Sequence, residues 1–245
     1  MKQPEIKEDN RINDLEAAST IIMDAIVTQA LAPGQKVSEN ILSDSFGISR
    51  TISRNLIERL IAKHFLTTVS QRVTQVSALT LLDIKQNFIL RKTLLPEIFS
   101  LASTNIDHEH LMTLNGRIDT HLPITGDSTA LDILKTNKEL NIAICERSSY
   151  PLMLDWAEQL EDMAMRIYWL YIKTTSHFPY SSEQQATIIE IVRNGDAAAI
   201  RRAIHDMLSQ TEDRILNAIF SHERFYTQNL TLEMRCGYSV ACSRE

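Results

Sequence analysis

After about residue 77, the apolar residues of this chain recur at helical spacing in one segment after another. The segments are 81–103, 107–119, 128–146, 150–174, 182–195 and 196–220. Polar breaks such as LPITGD and SHFPYSS separate them, and only six Gly and six Pro occur among 245 residues. Alternating β patterns are scarce. The sequence therefore predicts a mainly α protein in which residues 79–245 form an antiparallel α-helical bundle.

Residues 1–78 have a different pattern, which predicts three short helices followed by a β-hairpin. The helices are expected over residues 15–28, 39–45 and 50–63. Ser38 and Ser49 are good N-caps for the second and third helices, and Gly47 tolerates the positive φ of a tight corner between them. The β-branched runs FLTTVS and VTQV predict the hairpin. Together these elements predict a winged helix-turn-helix domain over residues 1–78.

The third helix carries a basic face in an acidic protein. The whole chain has a formal net charge of −6, but residues 33–78 contain six Lys or Arg residues and three Asp or Glu residues, a local charge of +3. On a helical wheel of about 100° per residue, Arg50 and Arg54 share an arc opposite an apolar one, and Arg59 falls on the boundary. This face is either an ordinary solvated surface or a surface that meets a polyanion.

Several classes of protein are disfavoured. No apolar run is long enough to span a bilayer, and MKQPEIKEDNR lacks the apolar core of a signal peptide. Three cysteines, Cys145, Cys236 and Cys242, are expected to be reduced thiols. No phosphate loop or nucleophile elbow is present. The DHEH run is expected to be a solvated helix start, and His205 and Asp206 are adjacent and not expected to face each other. We expect a cytoplasmic protein that is not an enzyme.

The stretch AIVTQALAPGQKVSENILSDSFGISRTISRNLIERL resembles the opening of the GntR family of bacterial transcription regulators, and the likeness covers about residues 15–76. It implies that the domain binds double-stranded operator DNA. By resemblance, Arg50 and Arg54 read bases or clamp phosphates with support from Thr51, and Asn40 reaches a phosphate. The full set of DNA-binding residues implied is Asn40, Ser49, Arg50, Thr51, Arg54, Ser70, Gln71 and Arg72, the last three forming the wing tip.

The chain departs from the family pattern at four positions of this domain. Ile52 stands where Pro is usual, and Asn55 stands where Glu is usual. His64 and Val73 both stand where the family has Gly. The lost wing glycine suggests an altered approach to the minor groove and an operator different from the family's usual one.

The helical part resembles the FadR-type C-terminal domain of this family. In FILRKTLLPEIFSLA the resemblance places Arg91 at the effector cavity, where it and Arg166 would supply positive charge for an anionic effector. In many members, an Asp and a His four residues apart on one segment and two further His on a later segment bind a divalent metal. This chain has Asn137, Asn141, Gln185 and Met207 at those positions. Amides and a thioether bind transition metals weakly, so we expect no metal and no cofactor there.

Other interpretations of the helical part stay open. Asn137 and Asn141 also fit a surface pair, and Met207 fits core filling. The domain could then serve dimerisation alone, or its cavity could hold a long-chain acyl thioester. The preferred hypothesis is a homodimer on a pseudo-palindromic operator, because two recognition helices must meet major grooves about 34 Å apart. A small anionic effector would modulate its DNA affinity. The rival hypothesis is a helical ligand-sensing protein that no longer reads DNA.

Overall fold

A computed structural model of the chain describes residues 8–70 and 73–221, with side chains from residue 15 onward. Within that part the protein has nine α-helices and one small antiparallel sheet. The mainly α fold with an N-terminal winged helix-turn-helix is thus confirmed. No helix in these ranges is long and apolar enough to cross a membrane. The C-terminal segment 222–245, which includes Cys236 and Cys242, lies outside the described residues.

The N-terminal module contains three helices and three strands. Their bounds are α1 Glu8–Val27, β1 Lys36–Val37, α2 Glu39–Phe46, α3 Arg50–Ala62, β2 Leu66–Ser70 and β3 Val73–Val76. The sheet has the order β1-β3-β2, and both pairings are antiparallel. Strand β1 has only two residues, and the sequence pattern did not predict it. The hairpin and all three helices were predicted, although α1 begins earlier than expected.

The turn between α2 and α3 forms as the local sequence predicts. The Ser38 hydroxyl accepts a hydrogen bond from the Ile41 backbone N–H, and the Ser49 hydroxyl accepts one from the Ile52 N–H, both at 3.2 Å. Gly47 ends α2 with φ 66°, the left-handed conformation that a residue without Cβ adopts at little cost. These caps fix where α3 begins, which sets the direction of its first turn.

The C-terminal end of α3 is closed by a Schellman motif. The Phe65 N–H bonds to the Leu60 carbonyl at 2.8 Å, and the His64 N–H bonds to the Ile61 carbonyl at 3.0 Å. His64 has φ 63°, so it occupies the left-handed position at which glycine is usual in the family. Phe65 and Leu60 are both buried in the core of the module, which supplies the hydrophobic contact that accompanies this motif.

The rest of the described chain is a bundle of six helices. Their bounds are α4 Leu81–Ala102, α5 His108–Thr120, α6 Asp127–Glu146, α7 Pro151–Thr175, α8 Ser182–Asn194 and α9 Ala197–Ser221. Helices α4 and α9 run antiparallel, because the ion pairs Lys92–Glu212 and Glu97–Arg201 join them in opposite chain order. Two apolar clusters fill the bundle, and α7, which is buried along most of its length, contributes to both.

The N-terminal module packs against α6 and α7 of the bundle. Val27 of α1 joins the same apolar cluster as residues of α6 and α7. Asp24 of α1 pairs with Lys135 of α6, so charged groups add to the apolar contact. The division into domains at residues 78 and 79 stays a prediction.

Candidate functional site

The outer face of α3 carries polar and basic side chains. Arg50, Thr51, Arg54 and Asn55 are exposed, whereas Leu56 is fully buried on the opposite side. Because Ser49 caps the helix, Arg50 lies in its first turn, and Arg54 follows one turn later on the same face. The two guanidinium groups therefore extend from the N-terminal end of α3 toward solvent.

The two arginines differ in their surroundings. Arg54 Nε donates to Glu39 Oε1 at 2.8 Å, although the Arg54 side chain is 65% exposed. The hydrogen bond from Arg54 lowers the pKa of Glu39. Arg50 makes no side-chain hydrogen bond or ion pair to the described residues. Arg59, by contrast, pairs with Glu16 of α1 at 2.5 Å.

The remaining residues implied for DNA contact lie on α2 and on the hairpin. Asn40 is exposed in the first turn of α2. Ser70 is exposed at the end of β2, after a register irregularity between Thr68 and Ser70. Gln71 and Arg72, the expected wing tip, lie outside the described residues.

A small cavity in the bundle brings together the four side chains at the positions of the usual metal ligands. Asn137, Asn141, Gln185 and Met207 all line it, and Tyr180 adds a phenol. Its volume is about 20 Å³, which is room for a single water molecule. The side chains are hydrogen-bonding amides and a thioether. The cavity is therefore small and partly open to solvent, and polar groups form part of a mainly apolar lining.

The amides are already engaged in hydrogen bonds. Gln185 Nε2 donates to Asn137 Oδ1 at 2.7 Å, and Asn141 Nδ2 donates to Glu161 Oε2 at 3.1 Å. Within the described part of the chain, the buried Gln185 Oε1 has no hydrogen-bond partner. An unpaired buried acceptor costs free energy, so this atom favours a ligand or a water molecule with a donor group.

Arg91 is buried beside this cavity, and its charge is compensated. Arg91 NH2 lies 2.7 Å from Glu161 Oε1, and its NH1 donates to the Tyr168 hydroxyl, which in turn contacts the Tyr180 hydroxyl at 2.5 Å. Burial opposes the charge of Arg91, but the carboxylate of Glu161 outweighs it and holds the pKa of Arg91 well above its usual range. Arg91 was expected to offer a positive charge to an anionic effector. This role stays a prediction, and Glu161 already compensates the charge of Arg91 within the chain.

A sequence profile places this bundle among known proteins. The profile of the FCD domain matches residues 87–210, which is more than half of the chain. The chain belongs to the FCD family. An FCD domain is the C-terminal domain of GntR-family regulators, so the protein is a FadR-type transcription regulator of that family and not an enzyme.

Solved structures agree with this assignment at the level of fold. McbR/YncC of E. coli is 18% identical, with a TM-score of 0.66 over 83% of this chain and 97% of that one. A transcriptional regulator GntR from Rhodococcus sp. RHA1 is 17% identical, with a TM-score of 0.66 over 83% and 98%. Lar, which controls the agr system of Listeria monocytogenes, is 13% identical, with a TM-score of 0.53 over 88% and 99%. No curated protein sequence matches the chain.

Arg166 does not reach the cavity of the FCD domain. Its NH2 donates to the Ser77 carbonyl at 2.7 Å, and its guanidinium lies 5.4 Å from the centre of the Phe65 ring. Burial lowers the pKa of Arg166 to about 10, so the side chain stays charged at neutral pH. The expectation that Arg166 serves the effector is therefore not supported, since the side chain bonds instead to the N-terminal module.

Sequence reasoning missed Glu161, Tyr168 and Tyr180, which complete the polar network of the FCD domain. Glu161 lies in QLEDMAMR, where charged and apolar residues alternate, so the local sequence gave no clear signal that this carboxylate is buried. Its partner Arg91 lies 70 residues away along the chain. Tyr168 lies in the helical segment 150–174 and Tyr180 lies in the polar break SHFPYSS, and both side chains are buried.

Candidates for other chemistry have ordinary structural roles. Asp107 caps α5 by accepting from the His110 N–H, and His108 pairs with Glu190 at 2.6 Å. His205 Nδ1 approaches Asp206 Oδ1 to 3.5 Å, closer than expected for adjacent helical residues, but both side chains are exposed. Among the residues that the structure describes, no three His, Cys, Asp or Glu side chains form a group that could hold a metal ion.

Proposed function

We propose that the protein binds double-stranded operator DNA through α3 and the β2–β3 hairpin. The outer face of α3 supports the proposal, because Arg50 and Arg54 lie exposed at the end where recognition helices contact base edges. The contacts to the FCD domain involve the opposite end of α3, at Lys63 and Phe65. The basic face is therefore open to a duplex while the module is docked on the bundle.

Fluorescence anisotropy tests the proposal with DNA from upstream of the protein's own gene and with scrambled DNA, over a salt series. Arg50→Ala should weaken binding to the specific DNA by about 1–3 kcal/mol and reduce its preference over scrambled DNA. Arg59→Ala is the matched control, since it removes the same charge from the same helix on a side paired with Glu16. Equal losses in both variants would contradict the assigned reading face.

Weak binding that is the same on both DNAs would instead favour the rival interpretation, a ligand-sensing protein without sequence-specific DNA recognition. The slope of affinity against salt separates the two cases. Phosphate contacts release counterions and give a steep slope, whereas a protein that has lost DNA binding gives no slope to measure.

We propose further that residues 1–78 and 79–245 act as two domains and that the protein works as a homodimer. Two recognition helices are needed for two half-sites one helical turn apart. Helix α4 offers a surface for self-association, because Leu82 and Ile89 lie on one face and are 63% and 58% exposed. Apolar side chains grouped in this way on a helix favour an interface, and a two-fold axis would pair this face with its own copy.

The FCD cavity is proposed to bind a small polar effector without net charge. An anion could use Arg91 only by displacing Glu161 from it, whereas the amides of Asn137, Asn141 and Gln185 can exchange their hydrogen bonds directly. Because the cavity holds only about 20 Å³, binding also requires the Asn137–Gln185 hydrogen bond to open. The effector would then alter the packing of α6 and α8, which carry these side chains.

Differential scanning fluorimetry tests this proposal with pairs of small metabolites in which each carboxylic acid is matched to its amide. An amide that raises the melting temperature, while its acid does not, would support an uncharged effector. Asn141→Leu should abolish the shift. If only acids raise the melting temperature, Glu161 does not close Arg91 to anions and the proposed ligand class is wrong.

A further inference from the structure

Two adjacent buried carboxylates on α7 face different parts of the protein. Glu161 contacts the cavity network, through Arg91 at 2.7 Å and Asn141 at 3.1 Å. Asp162 lies 2.9 Å from Lys63 Nζ, at the C-terminal cap of α3. Successive helical residues point about 100° apart, so one turn of α7 reaches the effector cavity and the recognition helix at once. We call Glu161 and Asp162 the α7 carboxylate pair.

Asp162 also binds the helix that carries the cavity amides. Its other oxygen pairs with Lys138 of α6. Lys138 follows Asn137 directly in the sequence and precedes Asn141 by three residues. A movement of α6 against α7 that repositions the amides must therefore also change the distance from Lys138 to Asp162.

The contact of α7 with the N-terminal module has a second point one turn further on. Arg166 follows Asp162 at i+4, on the same face of the helix, and bonds to the Ser77 carbonyl and the Phe65 ring. Phe65 belongs to the Schellman motif that ends α3. Lys63 and Phe65, on either side of the left-handed His64, are thus both held by α7.

We propose that the α7 carboxylate pair couples the effector cavity to the recognition helix, with Asp162 as the residue that positions the C-terminal end of α3. The proposal rests on the function proposed above and names how its two sites communicate. A ligand that accepts the hydrogen bond of Asn141 Nδ2 removes this donor from Glu161. Its entry also displaces α6. Asp162, shared between Lys138 and Lys63, then loses or changes its contact with α3. Close packing transmits such a shift, because tightly packed side chains leave little free volume to absorb it.

Hydrogen–deuterium exchange on the full chain, without DNA or effector, tests this coupling from both ends. Asn141→Ala should speed exchange in residues 58–66 roughly threefold to tenfold, the scale of the net contribution of one typical hydrogen bond. Lys63→Met should speed exchange in residues 136–142 by a similar factor. Neither change strands a buried charge, since Glu161 keeps Arg91 and Asp162 keeps Lys138. Lys63→Arg, which keeps the cation, should retain normal protection.

Glu139→Gln is the matched control on α6. Glu139 adjoins Lys138, but its ion pair with Arg117 is exposed and points away from the α7 carboxylate pair. This variant should leave exchange in residues 58–66 unchanged. The proposal is overturned if Asn141→Ala speeds exchange only within the bundle, if the control acts equally at α3, or if exchange rises uniformly over all helices.

The outcome is independent of the proposed DNA binding, because the exchange measurement contains no DNA. If the exchange changes appear but binding to specific DNA does not depend on Arg50, the proposed function is overturned and the link between the cavity and α3 stands. If specific DNA binding depends on Arg50 but the exchange changes do not appear, the proposed function stands and the link is overturned.

Discussion

The buried pair of Arg91 and Glu161 should contribute strongly to the stability of the FCD domain. Each side chain is only 1% exposed, and the charged atoms lie 2.7 Å apart. Opposite unit charges about 4 Å apart attract by about 4 kcal/mol at the effective dielectric constant of about 20 that suits protein sites. Loss of one partner leaves the other charge in apolar surroundings, which costs about 3–5 kcal/mol. We therefore expect Glu161→Leu to lower the free energy of unfolding by about 3–5 kcal/mol.

The double variant Arg91→Met with Glu161→Leu should be less destabilised than the sum of the two single variants. Removing both charges leaves no unpaired ion, and apolar side chains can fill much of the space. Urea unfolding followed by circular dichroism, at one protein concentration, gives the four free energies of this cycle. We expect a coupling of at least about 2 kcal/mol. The exposed pair Arg117 and Glu139 serves as the control cycle, with a coupling of about 0–1 kcal/mol.

Additive effects of the two single changes, within about 0.5 kcal/mol, would refute the buried ion pair. In that case Arg91 would not be paired with Glu161 in solution, and its charge would be available to an anion. A strong coupling would leave hydrogen bonding as the basis of effector recognition.

Three further changes test other parts of the structure. His64→Gly should stabilise the protein by about 0.5–1 kcal/mol, because His64 is held at φ 63°, a left-handed conformation that is unfavourable for a residue with Cβ. Calorimetry should show a melting temperature raised by about 2 °C. A lower melting temperature would contradict backbone strain at His64. Glu39→Gln should tighten DNA binding severalfold at low salt by releasing Arg54, and unchanged anisotropy curves would argue against competition for that arginine. Ile89→Glu should convert the proposed dimer into monomers in light scattering, whereas Trp156→Glu on α7, which is similarly exposed, should not.

The sequence was most informative where structure depends on neighbouring residues. The cap residues Ser38 and Ser49 and the corner at Gly47 act within a few positions of themselves, so their roles follow from local chemistry. The helical segments were predictable for the same reason, since the period of apolar residues is a local pattern. Their ends agree with the structure to within a residue or two for every helix of the bundle.

Features that depend on distant parts of the chain were harder to predict. The sequence indicated that Arg91 lies near the cavity, but not that Glu161 neutralises it, because nothing local specifies a partner on another helix. The resemblance offered Arg166 to the effector, but no local pattern indicated its hydrogen bond to the Ser77 carbonyl, 89 residues away along the chain. Strand β1 is only two residues long and forms through pairing with β3, so it has no periodic signal of its own.

The absence of the usual metal ligands from the cavity lining is consistent with the pairing of Arg91 with Glu161. The resemblance implies that many relatives place a dication and a carboxylate effector where this chain has Asn137, Asn141 and Gln185. Without that metal and its anion, a buried Arg91 would lack compensation, and Glu161 provides it from within the chain. The charges of Arg91 and Glu161 thus balance within the chain, so the proposed effector would compete through hydrogen bonds. The unpaired Gln185 Oε1 then favours an effector with an N–H or O–H group, and a site built this way discriminates strongly against analogues that lack the donor.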